Sequence, residues 1–511
     1  MKRACALLPL LFFFTGISNL VAQSIVVCDD VRDPLTLDPY KEFSEKNHTI
    51  IQQIFEGLVR FDTNGKIEEA LAVKWERPID PATGAPDPLR MRFQLRQGVS
   101  FHNGEPFDAE AVRFSILRYL DPKIGFPAAA FISTVADVEV RDKYTVDIVT
   151  KFPDGLLLNR LTLFLLIVPP HYVQENGEDI LNSKPVGTGA FMFSRWDKGD
   201  RILLTANTNY WMKGFPRVGG LEFKFVPTTD KQLELLRSGE VDIVTEVPGT
   251  RAKELWQQKE TDIIKKEVFW TVGATMNMDH GKPLSDIRVR KALNHAIHRK
   301  DLVHYDCFGN GKALASLTME KEEGHEPHLD PYKFDPELAR ALLTEAKVLP
   351  LKLKTLVRVQ GERTARLLAS QLARVGVTLE FDDKSVFSDS DVIQKLKSEN
   401  WDLAIAGMPD PMCHTFFIQS ILLYSKSPFS LQKDDDFDRR LEKMAQTLDE
   451  VKRTELAKAL DRYVYDNALS LFTYQSIKTY GIRRRLHFDP YISGMPYFFS
   501  TYYEETDANR R

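Results

Sequence analysis

The sequence predicts an α/β protein of roughly three packed units. Three observations carry that expectation. Strand-like and helix-like segments alternate along the chain, with no fixed repeat and no low-complexity tract. The length of 511 residues, at ~150 per domain, gives about three units, and no long linker separates them. Composition is globular, at 43% hydrophobic and 27% charged with 27 Gly and 27 Pro, which excludes disordered, collagen-like and disulfide-framed chains. The formal net charge of −4 gives no global reason to hold phosphate backbones, so nucleic acid is not an expected partner.

Residues 1–22 begin with Lys2 and Arg3, continue through an apolar run from Ala4 to Phe14, and end at Leu20-Val21-Ala22. This is the order of a cleavable secretory signal, with cleavage after Ala22. The uninterrupted apolar run is well short of the ~20 residues that span a bilayer. The mature protein is therefore expected outside the cytoplasm, without stable membrane insertion. Cys28, Cys307 and Cys413 remain after cleavage. An odd number leaves at least one unpaired, and a bridge from Cys307 to Cys413 stays open.

In chain order, Ser24 to Cys28 reads as a strand and 49–61 as a helix with Ile50, Ile51, Ile54, Leu58 and Phe61 on one face. Met91, Phe93 and Leu95 alternate with Arg90, Arg92 and Gln94, a half-buried strand, and Asp108 caps a helix over 109–120. Two strands follow within 137–149. The apolar run 161–168, closed by Pro169-Pro170, reads as a buried strand. Gly187-Thr188-Gly189 opens a strand pair, 190–196 and 201–206. Strand 221–226, helix 229–238 and strand 241–244 suggest a right-handed crossover in a largely parallel sheet. Strand 269–276 comes next, then one long helix from Asp286 through Leu293, Ile297 and Leu302, and a helix from Asp335 with Pro336 in its first turn. A second series has strands at 351–357, 378–381 and 403–407 and helices at 363–375 and 389–398. Helix 449–467 and strand 469–480 precede an aromatic tail, expected to pack.

Enzyme signatures fail on specific residues. No G-x-S-x-G elbow occurs, Met192 stands where a dinucleotide fingerprint needs Gly or Ala, and Asp306 stands where a phosphate loop ending at Gly311-Lys312 needs Gly. In His325-Glu326-Pro327-His328 the second His comes one position early for a zinc-protease helix, and Pro327 breaks it. His295 and His298 would share a helix face, but without a clear third ligand they read as ordinary histidines. Asp382-Asp383, Asp434-Asp435-Asp436 and Arg483-Arg484-Arg485 read as solvated charge. No catalysis and no cofactor are expected.

Residues 91–110 read MRFQLRQGVSFHNGEPFDAE. This stretch resembles the hallmark of the extracytoplasmic solute-binding proteins of family 5, the peptide-, dipeptide- and nickel-binding components of ABC importers. Four more stretches agree in order: IFEGLVRFD at 54–62, PVGTGAF at 185–191, GEVDIV at 239–244 and DIRVRKALNHAIHRKDLV at 286–303. Locally, Gly98, Asn103-Gly104 and Pro106 build turns, while Arg288 and Arg290 oppose their helix macrodipole and need carboxylate or carbonyl partners. The resemblance implies a bilobal periplasmic-binding fold of type II (cluster C-like). Its first lobe would comprise 23–56, 185–266 and 477–511, with an extra subdomain, 57–184, inserted. The second lobe would be 267–476, with two crossovers as the hinge. Such a protein encloses its ligand by lobe closure and docks on the membrane permease of an ABC importer. The expectation is a monomeric periplasmic receptor for a small peptide or peptide-like solute. A nickel or metal-chelate receptor of the same family and a secreted hydrolase are the alternatives.

The resemblance also points to site residues. Peptide-binding members pair the peptide α-ammonium with an Asp after the late strand. Here the loop reads MPDPMCHTFF at 408–417, with Met408 at that acid's usual place and Asp410-Pro411 matching a later Asp-Pro. Asp410 replaces the anchor, or shapes a turn, or the ligand lacks a terminal amine. Arg358 matches approximately an Arg that grips a carboxylate in dipeptide binders. His414 falls near the His of nickel-type members and is the one weak metal candidate, although GFPAAAF at 125–131 lacks their Arg and Trp. Phe126, Phe131, Phe416 and Phe417 wall an apolar cleft or fill a core.

Overall fold

A computed structural model describes residues 23–29, 33–387 and 389–504; the expected signal, 1–22, lies outside them. The spine is one mixed sheet of twelve strands. At one end Ser24–Asp29 runs parallel to Gly220–Phe225 and to Ile243–Val244, and Arg201–Ala206 and Phe191–Asp197 extend that edge antiparallel. At the other end Leu351–Arg358 lies parallel between Val377–Glu380 and Leu403–Pro409.

Two strands join the ends. Thr261–Met276 pairs with Tyr474–Arg483 from Thr261 to Glu267 and with Leu403–Pro409 from Trp270 onward; against Tyr474–Arg483 its register slips between Glu267 and Thr271. An irregularity of this kind bends and twists a strand, which here re-aims it from one half of the molecule to the other. The largely parallel sheet expected from the sequence is corrected by this arrangement. Both joining strands pair antiparallel with their neighbours, as does the outer hairpin, whose short turn at 198–200 returns Arg201–Ala206 beside its predecessor.

A separate antiparallel sheet orders Ala72–Glu76, Arg90–Leu95, Thr145–Thr150 and Val135–Asp142. The alternation in Arg90–Leu95 behaves as a pleat requires. Met91, Phe93 and Leu95 turn into the core, while Arg90 and Arg92 reach Glu139 and Asp147 at 2.6 and 2.7 Å. Helix Ala109–Leu120 packs on this sheet, with the Asp108 carboxylate accepting the Glu110 and Ala111 N–H groups. Arg288 and Arg290 find the partners they need, Asp286 and Glu345 for the first, the carbonyls of Leu284, Ser285 and Asn467 for the second.

Several local expectations are corrected. The helix expected over 49–61 occupies only Glu45–Ile51, and Val59–Phe61 is a strand paired with Ile67–Glu69. Gln52 and Gln53 donate to the Met495 and Pro496 carbonyls, and Gly57 lies so close to the Leu165 carbonyl that a Cβ would sit 2.6 Å from it. Tertiary contacts end that helix. The run 161–168 is the end of helix Leu157–Phe164 followed by extended chain; it is buried on every side, so no period separated helix from strand. The long helix from Asp286 is two, Ile287–His295 and Arg299–Tyr305; at the break the His298 N–H leaves the ladder and donates to Gln371 Oε1 at 2.9 Å. The strand expected over 469–480 starts later, at Tyr474. None of Cys28, Cys307 and Cys413 forms a disulfide: Cys307 lies beside Gly311, and Cys413 lies beside Gly65, so no bridge joins them. The aromatic tail packs as expected, with Phe498 stacked on Phe488 at 5.5 Å.

The larger apolar core runs from Ile25 through the separate sheet to Met408, Phe417 and Phe498, and a second core fills the half between Val272 and Tyr474. The larger core therefore continues across the boundary between the halves.

Candidate functional site

The strand Leu403–Pro409 delivers Met408 opposite Thr271, and the next residue, Asp410, donates its N–H to the Phe269 carbonyl at 2.7 Å. The chain then folds back on the Asp410 carboxylate, which accepts the N–H groups of Met412 at 2.8 Å and His414 at 3.0 Å. Cys413, at the tip, takes a left-handed φ of 55°. Helix Phe416–Leu422 follows. Glu323 flanks the loop in a parallel bridge with His414, and Gly324 permits it. Its φ is 98°, and a Cβ there would lie 2.6 Å from the Thr415 methyl carbon.

Segments from the first half close over this loop. Phe131 stacks between Phe164 and Phe417, with 5.0 Å between centroids on both sides, and Phe126 meets Phe164 edge-on. The Arg160 guanidinium covers Phe416 at 4.7 Å, the Asn159 amide donates to the Met412 carbonyl, and the Gly155 N–H donates to the Ala445 carbonyl at 2.7 Å. Of the residues singled out in the sequence, Asp410, His414, Met408, Phe416, Phe417, Phe126 and Phe131 thus meet in one seam. Arg358 lines a small apolar pocket with Leu356, Leu396, Ala406 and Phe429, whose lining includes none of Asp410, His414, Phe131 and Phe417.

The seam's polar groups are arranged unusually. His414 is fully buried, and burial lowers its imidazole to about 3, with Arg453 and Arg160 adding to the effect, so the ring is neutral. Nδ1 accepts the Phe416 N–H at 3.0 Å, which leaves the proton on Nε2. That Nε2–H has no hydrogen-bond partner, and Gln419 Oε1 and Arg453 Nε share its condition. A metal at Nε2 would have to displace this proton. Among the described residues no group of three or more His, Cys, Asp and Glu is placed to hold a metal ion.

Three buried carboxyls underlie the loop. Burial raises both Glu322 and Asp410, and their mutual contact leaves the proton on Glu322, facing the Asp410 carboxylate. Asp461, also desolvated, is raised to about 6 while accepting the hydroxyls of Ser316 and Thr318 and the Glu326 N–H. A carboxyl that holds its proton more tightly when folded stabilises below its unfolded pKa and loses that contribution as pH rises through its folded pKa. Between pH 4 and pH 7 the Asp461 group should therefore remove about 2 kcal/mol of stability. Urea midpoints across that range should fall less steeply for Asp461→Asn than for the parent chain; parallel slopes would show that the group is not desolvated.

Sequence reasoning missed Glu322, Glu323, Arg453, Asp461 and Arg160. The other charged clusters have structural jobs. Asp382 and Asp434 cap the elements that follow them, His295 bonds the Lys333 carbonyl, and His298 meets Asp301 at 2.8 Å. No helix among the described residues is long and apolar enough to cross a membrane.

Comparison with known proteins gives a consistent picture. The profile of the bacterial extracellular solute-binding proteins, family 5 (middle), matches residues 66–426. The glutathione-binding protein GsiB of Salmonella paratyphi A is 27% identical over 347 residues, which are 67% of this chain and 66% of its own length, a little under two thirds of that relative. The ABC transporter-associated periplasmic binding protein DppA of Helicobacter pylori, solved with the peptide STSA, superposes with a TM-score of 0.79 at 21% identity over 95% of this chain and 99% of that one. HbpA2 of Haemophilus parasuis gives a TM-score of 0.80 at 23% identity, over 94% of this chain and 100% of that one. These superpositions show the bilobal α/β fold of the periplasmic binding proteins.

Proposed function

We propose that this chain, which belongs to the bacterial extracellular solute-binding proteins of family 5, is a periplasmic receptor that captures a peptide-like solute between its halves and delivers it to the permease of an ABC importer. The observation that carries the reading is the seam itself. Residues of both halves meet at one loop, yet buried polar atoms of His414, Gln419 and Arg453 are left without partners, as a site awaiting a polar guest would leave them. The names of the relatives, glutathione-binding and peptide-bound, support the same solute class.

In this reading the joining strands Thr261–Met276 and Tyr474–Arg483 are the hinge, at the register slip between Glu267 and Thr271. The separate sheet falls within 57–184 and the second core within 267–476, which supports reading these as the inserted part and the second lobe. Capture needs no turnover, and the protein works as an exported monomer. A ligand that inverts a 1:99 open bias must favour the closed state by ~5.5 kcal/mol.

Thermal denaturation with glutathione, mixed short peptides and nickel with histidine tests the proposal. A true ligand at one hundred times its Kd should stabilise the fold by about 2.7 kcal/mol. The peptides should shift the transition and contract the scattering profile, with the ligand recovered intact. No shift with any of them, or recovery of cleaved ligand, would overturn the receptor reading.

A further inference from the structure

Resting on the receptor reading, we propose that the seam holds its ligand by an anionic end group. A ligand carboxylate docks on the Nε2–H of His414 and the guanidinium of Arg453, and displaces the Glu323 carboxylate that stands there without it.

Three features of the seam lead to this assignment. The first is donor chemistry. His414 is wholly buried, its Nδ1 is occupied by the Phe416 N–H, and its Nε2–H points at no acceptor within hydrogen-bond reach. Arg453, 8% exposed, likewise leaves its Nε without a partner. Buried donors without acceptors are costly to maintain, and two side by side call for an acceptor with more than one oxygen. A carboxylate provides that, and the planar guanidinium fork suits it.

The second feature is the group now facing them. Glu323 Oε1 lies 3.8 Å from His414 Nε2, 3.4 Å from Arg453 Nη2 and 3.3 Å from the Thr454 hydroxyl. It faces three donors and approaches none closely. Its side chain is 30% exposed, so it stands between the buried donors and solvent. The protein thus already places a carboxylate here, loosely enough for a better-fitting one to replace it.

The third feature is charge. Arg160 and Arg453 both face His414, and Arg77 stands near Arg453. Asp154 is spent on Arg160 and Thr134, and the Asp410 carboxylate on its own loop and Glu322. Each Asp410 oxygen already accepts a loop N–H and Glu322 lies against the carboxylate, so it is engaged where His414 Nε2 is not. The groups gathered around His414 Nε2 are thus mainly cationic donors, faced by the loosely held Glu323 carboxylate.

Calorimetric titration of the full chain with two ligand series tests this. One is glutathione, its diethyl ester and N-acetylglutathione; the other is trialanine, trialanine amide and N-acetyltrialanine. Blocking the carboxylates should weaken binding about tenfold or more, and blocking the amine less than threefold. His414→Asn keeps an acceptor for the Phe416 N–H but lacks the Nε2 donor. It should lose about tenfold for the free acids and leave the blocked acids unchanged, a selectivity that mere loosening of the fold would not produce. Glu323→Gln, which removes the resident carboxylate, should bind the free acids more tightly. Equal binding of acids and blocked acids, or a larger loss on N-acetylation, would overturn the proposal and leave the receptor reading standing. Silence from every peptide, with no contraction in scattering, would remove both.

Discussion

Gly155→Ala is expected to hold the two halves apart. The Gly155 N–H donates across the seam to the Ala445 carbonyl at 2.7 Å, and a Cβ at this position would lie 2.1 Å from the Thr447 carbonyl oxygen and 3.1 Å from the Arg453 Cδ. The obstacle is backbone from the opposite half, and no side-chain rotation relieves it. Gly155 does not occupy the left-handed region, so alanine meets no strain of its own there. The conflict exists only while the halves touch. Overpacking of this kind costs ~1–3 kcal/mol, which moves a closing equilibrium by roughly 5- to 150-fold. Apparent ligand affinity should fall by the same factor, because only the closed-competent fraction binds tightly. Scattering at a ligand concentration just sufficient to contract the parent chain should report a radius that stays large, while urea resistance of the ligand-free protein changes little. Unchanged affinity and an unchanged radius would mean that the Phe131–Phe417 seam is not the surface that closes.

The outer features of this fold were legible because their signals are local. Asp108 before a run of good helix formers, the alternation from Arg90 to Leu95, and the Asp286 cap each act within a few residues of themselves, and the structure has each where the sequence put it. The failures share a different cause. Residues 161–168 are apolar on every face, which erases periodicity, and the helix at Glu45–Ile51 stops where Gln52 and Gln53 find carbonyls more than 400 positions away. The site divides in the same way. The loop 408–417 was found through resemblance, and it gathers most of the residues singled out. Its charged floor was invisible: 319–326 reads MEKEEGHE, in which nothing distinguishes the fully exposed-looking acids from Glu322, 4% exposed, or from Glu323 beneath His414. Gly324, whose left-handed backbone turns this polar stretch inward, was the one local hint. Arg453 sits on a helix whose polar pattern alone suggests a solvated face, yet Gly155 packs against its Cδ.

Asp38→Ala should cost the most stability of any substitution considered, about 3–5 kcal/mol, because it strands a buried cation. Arg118 reaches inward from helix Ala109–Leu120 and grips Asp38 with both terminal nitrogens, at 3.0 and 2.7 Å; both side chains are almost wholly buried. The guanidinium also covers the Tyr40 ring at 4.6 Å, and its Nε bonds Glu178. Asp38 lies before the separate sheet in sequence, while Arg118 belongs to the helix that packs on it, so the pair ties the chain's start to that subdomain. Glu178→Gln provides the contrast. Glu178 is 58% exposed, its pairing is screened by solvent, and its loss should cost under ~1 kcal/mol. The combined Asp38→Leu and Arg118→Met change should recover most of the loss, since an apolar pair of similar volume needs no desolvated charge. Urea unfolding of the three variants beside the parent chain orders them directly. Ligand affinity should stay within twofold in all of them at low urea, because none of these side chains reaches the seam. A weaker effect for Asp38→Ala than for Glu178→Gln would show that water enters beside Arg118 and that the tie is made by packing around Tyr40 instead.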